Sequence, residues 1–557
     1  MLNKLALAGI KNRLRDYIVL FSGLIISSAI FYMFMALATN KSFITNNAAG
    51  ANAKIVFMFG AILLMVITFV YVSYANTFLL SMRKRDYATF MMLGAKSSKI
   101  SQLIFVETLI IGVVATVIGA VVGVGLTAGV GNALIKMIGV SAGNFSAFYF
   151  PAIIDTLIFF IVIFFLAALV NASKMRQTPI LELLHSNQTP TRNKAKWGVQ
   201  LLQTIVGLIS LAVGYWAMAA IETLQLLSIS IALVTIVIGS YLLFNAVVIV
   251  VINLLKRNVK FANKGLRNFT LSQLSFRVHS YTMILSVVSI LFALALGAIT
   301  VGMNFKNQIP EITSRSATYD VVTHTHNQKM NQLTDQLTGV KSSATYEYKV
   351  EGNTVYFIGS EFDKSPMLYP KRDSKGMAIN KYEKITPATL SEKPESYSYE
   401  VIRLTNVKND TANHQMKFVT QAELNQMSGA TQELTTYRLK DFEANLTVAK
   451  KIQNYENELF SNSGRLSSKY TMYQLYLGLF GGLAFMGYFL GLAFLAMLAS
   501  TLMFKILAGA DYDKGRYHML NRMGVRPSLL KKSIRSELAV LFGLPAVLGV
   551  VHVLFGL

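Results

Sequence analysis

The chain contains no cysteine. Disulfides, zinc–thiolate centres, iron–sulfur clusters and cysteine nucleophiles are therefore excluded. Charge is scarce as well. Of 557 residues, 14% are charged and 53% hydrophobic, with a mean hydropathy of +0.46. A soluble domain carries roughly 25% charged residues, so a set of water-exposed globular domains does not fit. The sequence has no Gly-x-x-x-x-Gly-Lys-(Ser/Thr) phosphate loop, so ATP-driven work would need a second polypeptide. It has no visible Ser/His/Asp arrangement, and His185, His279 and His518 lie in basic segments without acidic partners. No catalytic constellation, cofactor site or metal site is read.

What the chain does have is a series of long apolar runs. A helix needs about 20 apolar residues to cross the hydrocarbon core. Nine stretches qualify: 17–38, 55–80, 103–139, 152–172, 198–220, 226–252, 281–303, 472–504 and 538–557. The third is too long for one simple crossing, so it is expected to tilt, kink at its glycines or project beyond the bilayer. The first contains Ala36-Leu37-Ala38, which resembles a cleavage site. Its apolar stretch exceeds a signal core of about 7–15 residues, so it reads as an uncleaved anchor.

Lys and Arg set the orientation. Segments 1–16, 81–102, 173–197, 254–280 and 505–536 hold more than half of the 52 bases. The spans and the short loops on the opposite side hold only Lys41, Lys54 and Lys136. The N-terminus is therefore expected in the cytoplasm and residues 304–471 outside the cell membrane. The net charge of +24 would point to nucleic acid in a soluble protein. Here it lies beside span ends and suits anionic inner-leaflet lipid, so nucleic acid is not expected as a partner. Nine spans leave Leu557 outside. Either the topology is odd-numbered or a tenth span is missing through truncation, and truncation is the expectation.

The reading is an α-helical polytopic membrane protein with one inserted extracellular mixed α/β domain. Residues 1–303 form an N-terminal membrane unit with seven spans, 304–471 the inserted domain, and 472–557 a C-terminal membrane unit with two. In 304–471 apolar runs disappear and acids nearly balance bases. Alternation on both sides of Glu351-Gly352-Asn353 predicts a hairpin. Val401–Leu404 and Met416–Val419 are further strand candidates, and Asn327–Leu337 and Gln421–Met427 are expected to be helical. His324 and His326 are expected on one strand face, too few for a metal site. The cluster Lys371-Arg372…Lys375 reads as a solvated loop in preference to a phosphate site.

The most specific signal is an internal repeat. Tyr87, Gly94 and Glu107 recur as Tyr517, Gly524 and Glu537 at identical spacing. Each Gly follows an apolar residue, Leu93 or Met523. Each is followed by a small apolar residue and then a base, Lys96 or Arg526. Bases precede both tyrosines, including Arg85 and Arg516. From Tyr87 to Leu93 the helical spacing predicts a short amphipathic helix lying at the membrane surface. Gly94 is expected to close it in a left-handed cap. Ser97 and Ser98, or Pro527 and Ser528, suit the start of the next helix. The expected product is a helix–Gly–helix elbow on the cytoplasmic side that anchors to lipid or docks a partner.

Acids near the spans are few. Asp155 follows Pro151 and is expected in the first turn of span four, and Glu222 on a short outer loop. Glu107 and Glu537 are expected to pair with a base one turn away. None makes a strong proton relay. The pairs Gly119/Gly123, Gly125/Gly129, Gly478/Gly482 and Gly487/Gly491 predict close helix approach.

The basic segment, Tyr, Leu/Met-Gly-(Ala/Val)-(Lys/Arg) and following span resemble the FtsX-like permease domain of ABC transporters. Gln177-Thr178-Pro179-Ile180-Leu181-Glu182-Leu183-Leu184 after span four, and Asn268–Arg277 before span seven, fit the same resemblance. A large outside domain after span seven resembles the bacitracin-export branch of Gram-positive bacteria, which has ten spans. The resemblance implies a membrane subunit served by two cytoplasmic ABC ATPase subunits docked at the elbows. It also implies action on a cell-wall-active peptide antibiotic or its lipid-linked target, hence antibiotic resistance, with a sensor histidine kinase as a further partner. The rival readings are a non-transporting mechanotransmission scaffold and a secondary transporter, for which the spans lack carboxylates.

Overall fold

The computed structural model describes residues 14–40, 48–131, 146–177, 197–224, 226–263, 266–372, 378–405, 407, 414–460 and 468–556. Within these, nine helices are long and apolar enough to cross a membrane. They lie in α1 (Leu14–Thr39), α2 (Ala48–Met92), α3 (Ser97–Leu126), α4 (Phe150–Gln177), α5 (Trp197–Ala219), α6 (Leu226–Leu242, whose span Ser230–Arg257 continues past it), α7 (Arg267–Ser316), α8 (Lys469–Arg522) and α9 (Pro527–Gly556). A π-turn at Thr127–Gly131 extends α3, and another at Leu243–Val247 joins α6 to a helix over Val248–Arg257. The third apolar run thus ends its regular helix at Leu126, and residues 132–145 lie outside the described part.

The chain divides into two compact units, Met1–Lys136 with Ser141–Met303 and Gly482–Leu557, and Met137–Val140 with Asn304–Gly481. In the membrane unit α1 packs against α2, α3 and α4. Gly119 and Gly123 allow this: a Cβ at Gly119 would fall within 3.0 Å of the Ile25 carbonyl oxygen, and one at Gly123 within 2.9 Å of that of Ala29. Gly487 and Gly491 play the same part against α7, facing the Ala298 and Ala295 carbonyl oxygens. At Gly125 and Gly129 a Cβ meets nothing within 4 Å among the described residues, so no close approach is seen there. Gly478 and Gly482 are buried. Polar side chains also join spans. The Tyr71 hydroxyl donates to Ser500 at 2.7 Å, linking α2 to α8. His552 of α9 has its ring nitrogens 2.7 Å from the Tyr215 hydroxyl and 3.0 Å from that of Ser240. Asp155 lies beyond the first turn of α4 and is exposed, a small correction to its expected place.

The second unit holds a five-stranded sheet in the order β1-β7-β2-β3-β6, built from β1 (Val321–Thr323), β2 (Val340–Glu351), β3 (Thr354–Ile358), β6 (Gln415–Val419) and β7 (Gln432–Leu439). Strands β4 (Met367–Arg372) and β5 (Ala378–Ile385) pair separately. The hairpin is present: Glu351 pairs with Thr354 around Gly352, whose φ is +58°. Asn327 caps the helix Gln328–Thr334 by accepting from the Met330 N–H. Residues Gln421–Gln426 are helical.

Two expectations fail here. Val401 and Ile402 end a helix, Pro394–Ile402, in place of a strand. Proline at its start and burial of Tyr397 and Val401 one turn apart explain the difference. His324 lies past the end of β1. Its Nδ1 is 2.9 Å from the Glu456 carboxylate and its Nε2 is 2.7 Å from the Leu404 carbonyl oxygen. Both ring nitrogens are engaged, and no metal-binding group of three or more occurs among the described residues. At the rim of β5, Glu383 accepts from Lys393 at 2.8 Å and from the Tyr397 hydroxyl at 3.1 Å. The Lys393 bond, ahead of the other neighbours, holds the Glu383 carboxyl below its usual range. Lys371 also faces Glu383, at 3.5 Å, while Lys375 lies outside the described residues.

Candidate functional site

The repeated segments fold identically. Residues 91–100 and 521–530 carry the same pattern of helix, two-residue turn, extended pair and new helix. Gly94 has φ +95° and Gly524 +84°, the left-handed values that glycine tolerates without strain. The Ala95 N–H donates to the Phe90 carbonyl and the Gly94 N–H to that of Met91, both at 3.0 Å. In the second copy Val525 donates to Leu520 at 3.2 Å and Gly524 to Asn521 at 3.0 Å. These are the two bonds of a Schellman cap, which satisfy carbonyls at the helix end.

Three expectations about the elbow change. Tyr87–Leu93 is not a separate surface helix, because α2 runs unbroken for 45 residues to Met92. Likewise Tyr517–Arg522 belongs to the 54-residue α8. The first-copy N-cap is Lys96, without a side-chain bond, and Ser97 is already helical. Pro527 opens α9, as expected. Finally, each carboxylate has a partner on the other arm of its elbow.

That pairing is the core of each elbow. The Tyr87 hydroxyl donates to Glu107 at 3.4 Å, and the Tyr517 hydroxyl to Glu537 at 3.2 Å. Glu107 and Glu537 are 4% and 2% exposed. A carboxylate so buried needs hydrogen bonds or a counter-charge. In the first copy Arg83 supplies the charge, in direct contact with Glu107 and with its guanidinium 4.9 Å from the Tyr87 ring centroid. In the second copy the start of α7 adds support. Phe269 packs edge-on to Tyr517 at 6.2 Å, and the Thr270 and Ser533 hydroxyls are 2.8 Å apart. The expected segment Asn268–Arg277 is thereby brought to the second elbow, although the Phe276 and Arg277 side chains lie outside the described residues. The sequence hinted at the Tyr–Glu contact through its equal spacing. The sequence marks the bases before Tyr87 and the segment Asn268–Arg277, but not their contacts with Glu107, Tyr517 and Ser533.

The tips are exposed. Leu93 is 80% exposed and Met523 64%, and Gly94, Lys96, Gly524 and Arg526 are exposed beside them. In each copy an exposed apolar side chain thus stands beside an exposed base. The Arg85 and Arg516 side chains, and residues 178–184, lie outside the described residues.

Among the described residues, nine helices of spanning length, a sheet unit and a pair of buttressed elbows are the architecture of a multi-pass membrane protein. Residues 58–180, which include the first elbow, match the C-terminal domain of FtsX-like permeases. The bacitracin export permease protein BceB of Halalkalibacterium halodurans is 26% identical over 311 residues, covering 54% of this chain and 47% of its own. BceB of Bacillus subtilis is 23% identical over 307 residues with the same coverage. The B. subtilis ABC transporter permease protein YxdM is 23% identical over 542 residues, covering 89% of this chain and 83% of its own. Residues 58–180 thus resemble the FtsX-like permease domain, and the chain is similar in sequence to bacitracin-export permeases. It spans about half the length of the BceB relatives it matches.

Proposed function

We propose that this chain is the membrane subunit of an ABC transporter complex in which separate ATPase subunits grip the two elbows from the cytoplasm. The observation that carries the reading is the repeated knob, Leu93 with Lys96 and Met523 with Arg526, held by a left-handed glycine over a buried Tyr–Glu bond. A rigid knob transmits a push; a loop would absorb it. Helix α8 links the second knob to the inserted domain without a break, from Arg522 back to Lys469. At about 1.5 Å per residue its 54 residues form a rod of about 80 Å. Closure of the ATPases would displace this rod and, with α7, move residues 304–471 outside the cell.

Two relatives are named for bacitracin export; the target proposed here is a cell-wall-active peptide antibiotic or the lipid-linked precursor it binds, and the further partner proposed, on the family resemblance, is a sensor histidine kinase. The unbroken rod favours a second reading, a mechanotransmission scaffold that moves an outside partner without transporting anything. Affinity purification from membranes tests the assembly: an ABC ATPase should co-purify at two copies per chain. Deleting 310–465 should abolish peptide protection and leave ATPase binding intact. Loss of the ATPase on that deletion would refute the division of labour.

A further inference from the structure

Helices α7 and α8, of 50 and 54 residues, each belong partly to the membrane unit and partly to the sheet unit. Each unit holds its own fastener between them. In the membrane unit the fastener is backbone contact. A Cβ on Gly487 would stand 2.5 Å from the Ala298 carbonyl oxygen, one on Gly302 2.8 Å from that of Ala484, and one on Gly491 3.0 Å from that of Ala295. The helices approach so closely only because these positions carry no side chain.

The same positions fix the register of α8 in both directions. Gly487 and Gly491 are one turn apart, so a row of glycines continuing at that spacing would let α8 slip by a turn. The row stops at both ends. A slip one way brings Leu483 to the place of Gly487, and a slip the other way brings Leu495 to the place of Gly491. Either sets a leucine where a single methyl group already meets backbone, and a packed interior does not yield that space.

In the sheet unit the fastener is a ring pair and an ion pair. Phe305 and Phe480 have ring centroids 5.6 Å apart. Lys469, in the first turn of α8, donates to the Asp320 carboxylate at 2.6 Å, and Asp320 follows closely on Ser316, the end of α7. Both side chains are buried. The other Asp320 oxygen accepts from the Leu439 N–H at 2.6 Å, and the Asp320 N–H donates to the Tyr437 carbonyl at 2.9 Å. Lys469 Nζ lies 4.9 Å from the Phe442 ring centroid. The pair thus ties the start of α8 to the chain leaving α7 and to β7. Sliding α8 by one turn, about 5.4 Å, would part it and strand two buried charges. The glycine contacts and the ion pair therefore resist one and the same movement.

We propose that these two fasteners lock α7 and α8 against sliding, so that work done on α8 reaches the sheet as a joint movement of both helices and not as a piston stroke of α8 past α7. The lock stands on the contacts above; the source of the work rests on the function proposed above.

The chain has no cysteine, so labels can be placed without background. Met303 and Met503 are 51% and 38% exposed, lie in the membrane unit and are far apart along the helix axes. A slide therefore changes their separation almost one for one. Electron–electron double resonance on Met303→Cys with Met503→Cys, in reconstituted membranes, should give one narrow distance in the nucleotide-free and ATP–vanadate states alike. A shift approaching one turn, about 5.4 Å, would overturn the proposal. Lys469→Met should widen the distance distribution between Lys306→Cys and Met472→Cys, and Lys469→Arg should keep it narrow; no widening in Lys469→Met would overturn the part given to the ion pair. Bridging Phe305→Cys to Phe480→Cys with a short bis-methanethiosulfonate should leave ATPase stimulation at its unbridged level. Stimulation lost on bridging and regained on reduction would show that sliding is needed and would overturn the proposal. If no ATPase co-purifies, the assembly reading fails by itself, and the Met303–Met503 distance in the chain alone still judges the lock. A single narrow distance upholds it, and two distances one turn apart overturn it.

Discussion

Gly524→Val tests whether the elbow acts as a rigid joint. Gly524 holds φ at +84°, and a side chain there meets no atom within 4 Å, so the perturbation is conformational and not a clash. Keeping the left-handed backbone costs a non-glycine residue about 1–2 kcal/mol, and a β-branched one more. Leaving it breaks two cap bonds, Gly524 to Asn521 and Val525 to Leu520, each with a net worth of about 0.5–1.5 kcal/mol. Either route costs about 1–3 kcal/mol, a loss of roughly 5- to 100-fold in the bent conformer. Gly515→Ala is the control. It lies inside α8 with open space around it and should stabilise the helix by about 1 kcal/mol. The assay is stimulation of the ATPase partner in reconstituted complexes, with membrane insertion monitored alongside. Gly524→Val should depress stimulation at normal insertion, and Gly515→Ala should not. Unchanged stimulation in Gly524→Val would refute the joint, because the left-handed cap would then be dispensable.

Arg83→Met should destabilise the protein by about 3–5 kcal/mol by stranding buried Glu107, whereas Arg83→Met with Glu107→Leu should recover most of this in detergent melting curves. A double variant as unstable as the single one would show that the pair is not the cause. Tyr517→Phe should cost about 1–2 kcal/mol by removing a bond to the buried Glu537 carboxylate. Tyr87→Phe should likewise lower stability by removing a bond to buried Glu107, and an unchanged melting temperature in either variant would contradict the pairing. Glu383 has its folded pKa depressed by the Lys393 bond, so its contribution is present above the ordinary value of 4.5 and is lost as pH falls through the lower folded value. Hydrogen exchange over Ala378–Ile385 should accelerate on acidification below that point in the wild type and less steeply in Glu383→Gln; parallel profiles would rule the carboxylate out.

What the sequence decides by itself is what local chemistry and the bilayer decide. Nine apolar runs of spanning length become nine long helices, because a backbone in lipid must satisfy its hydrogen bonds within the segment. Gly94 and Gly524 become left-handed caps because other residues resist that conformation. The hairpin around Gly352 follows from alternation and a two-residue turn.

Where reading by pattern fails, the answer lay in atoms far along the chain. The amphipathic spacing of Tyr87–Leu93 is the same whether a surface helix begins there or a span continues, and only the unbroken α2 separates the two. Val401 and Ile402 look like strand residues, yet packing turned them into the end of a helix. Gly119 and Gly125 carry the same small-residue motif, but among the described residues only Gly119 has a neighbouring helix against it. Glu107 finds its base on the other arm, 24 residues back, and His324 its carboxylate 132 residues on. A buried charge is stabilised by whichever partner the fold brings within a few ångströms. That choice depends on the arrangement of whole helices and strands, which no short window of sequence contains.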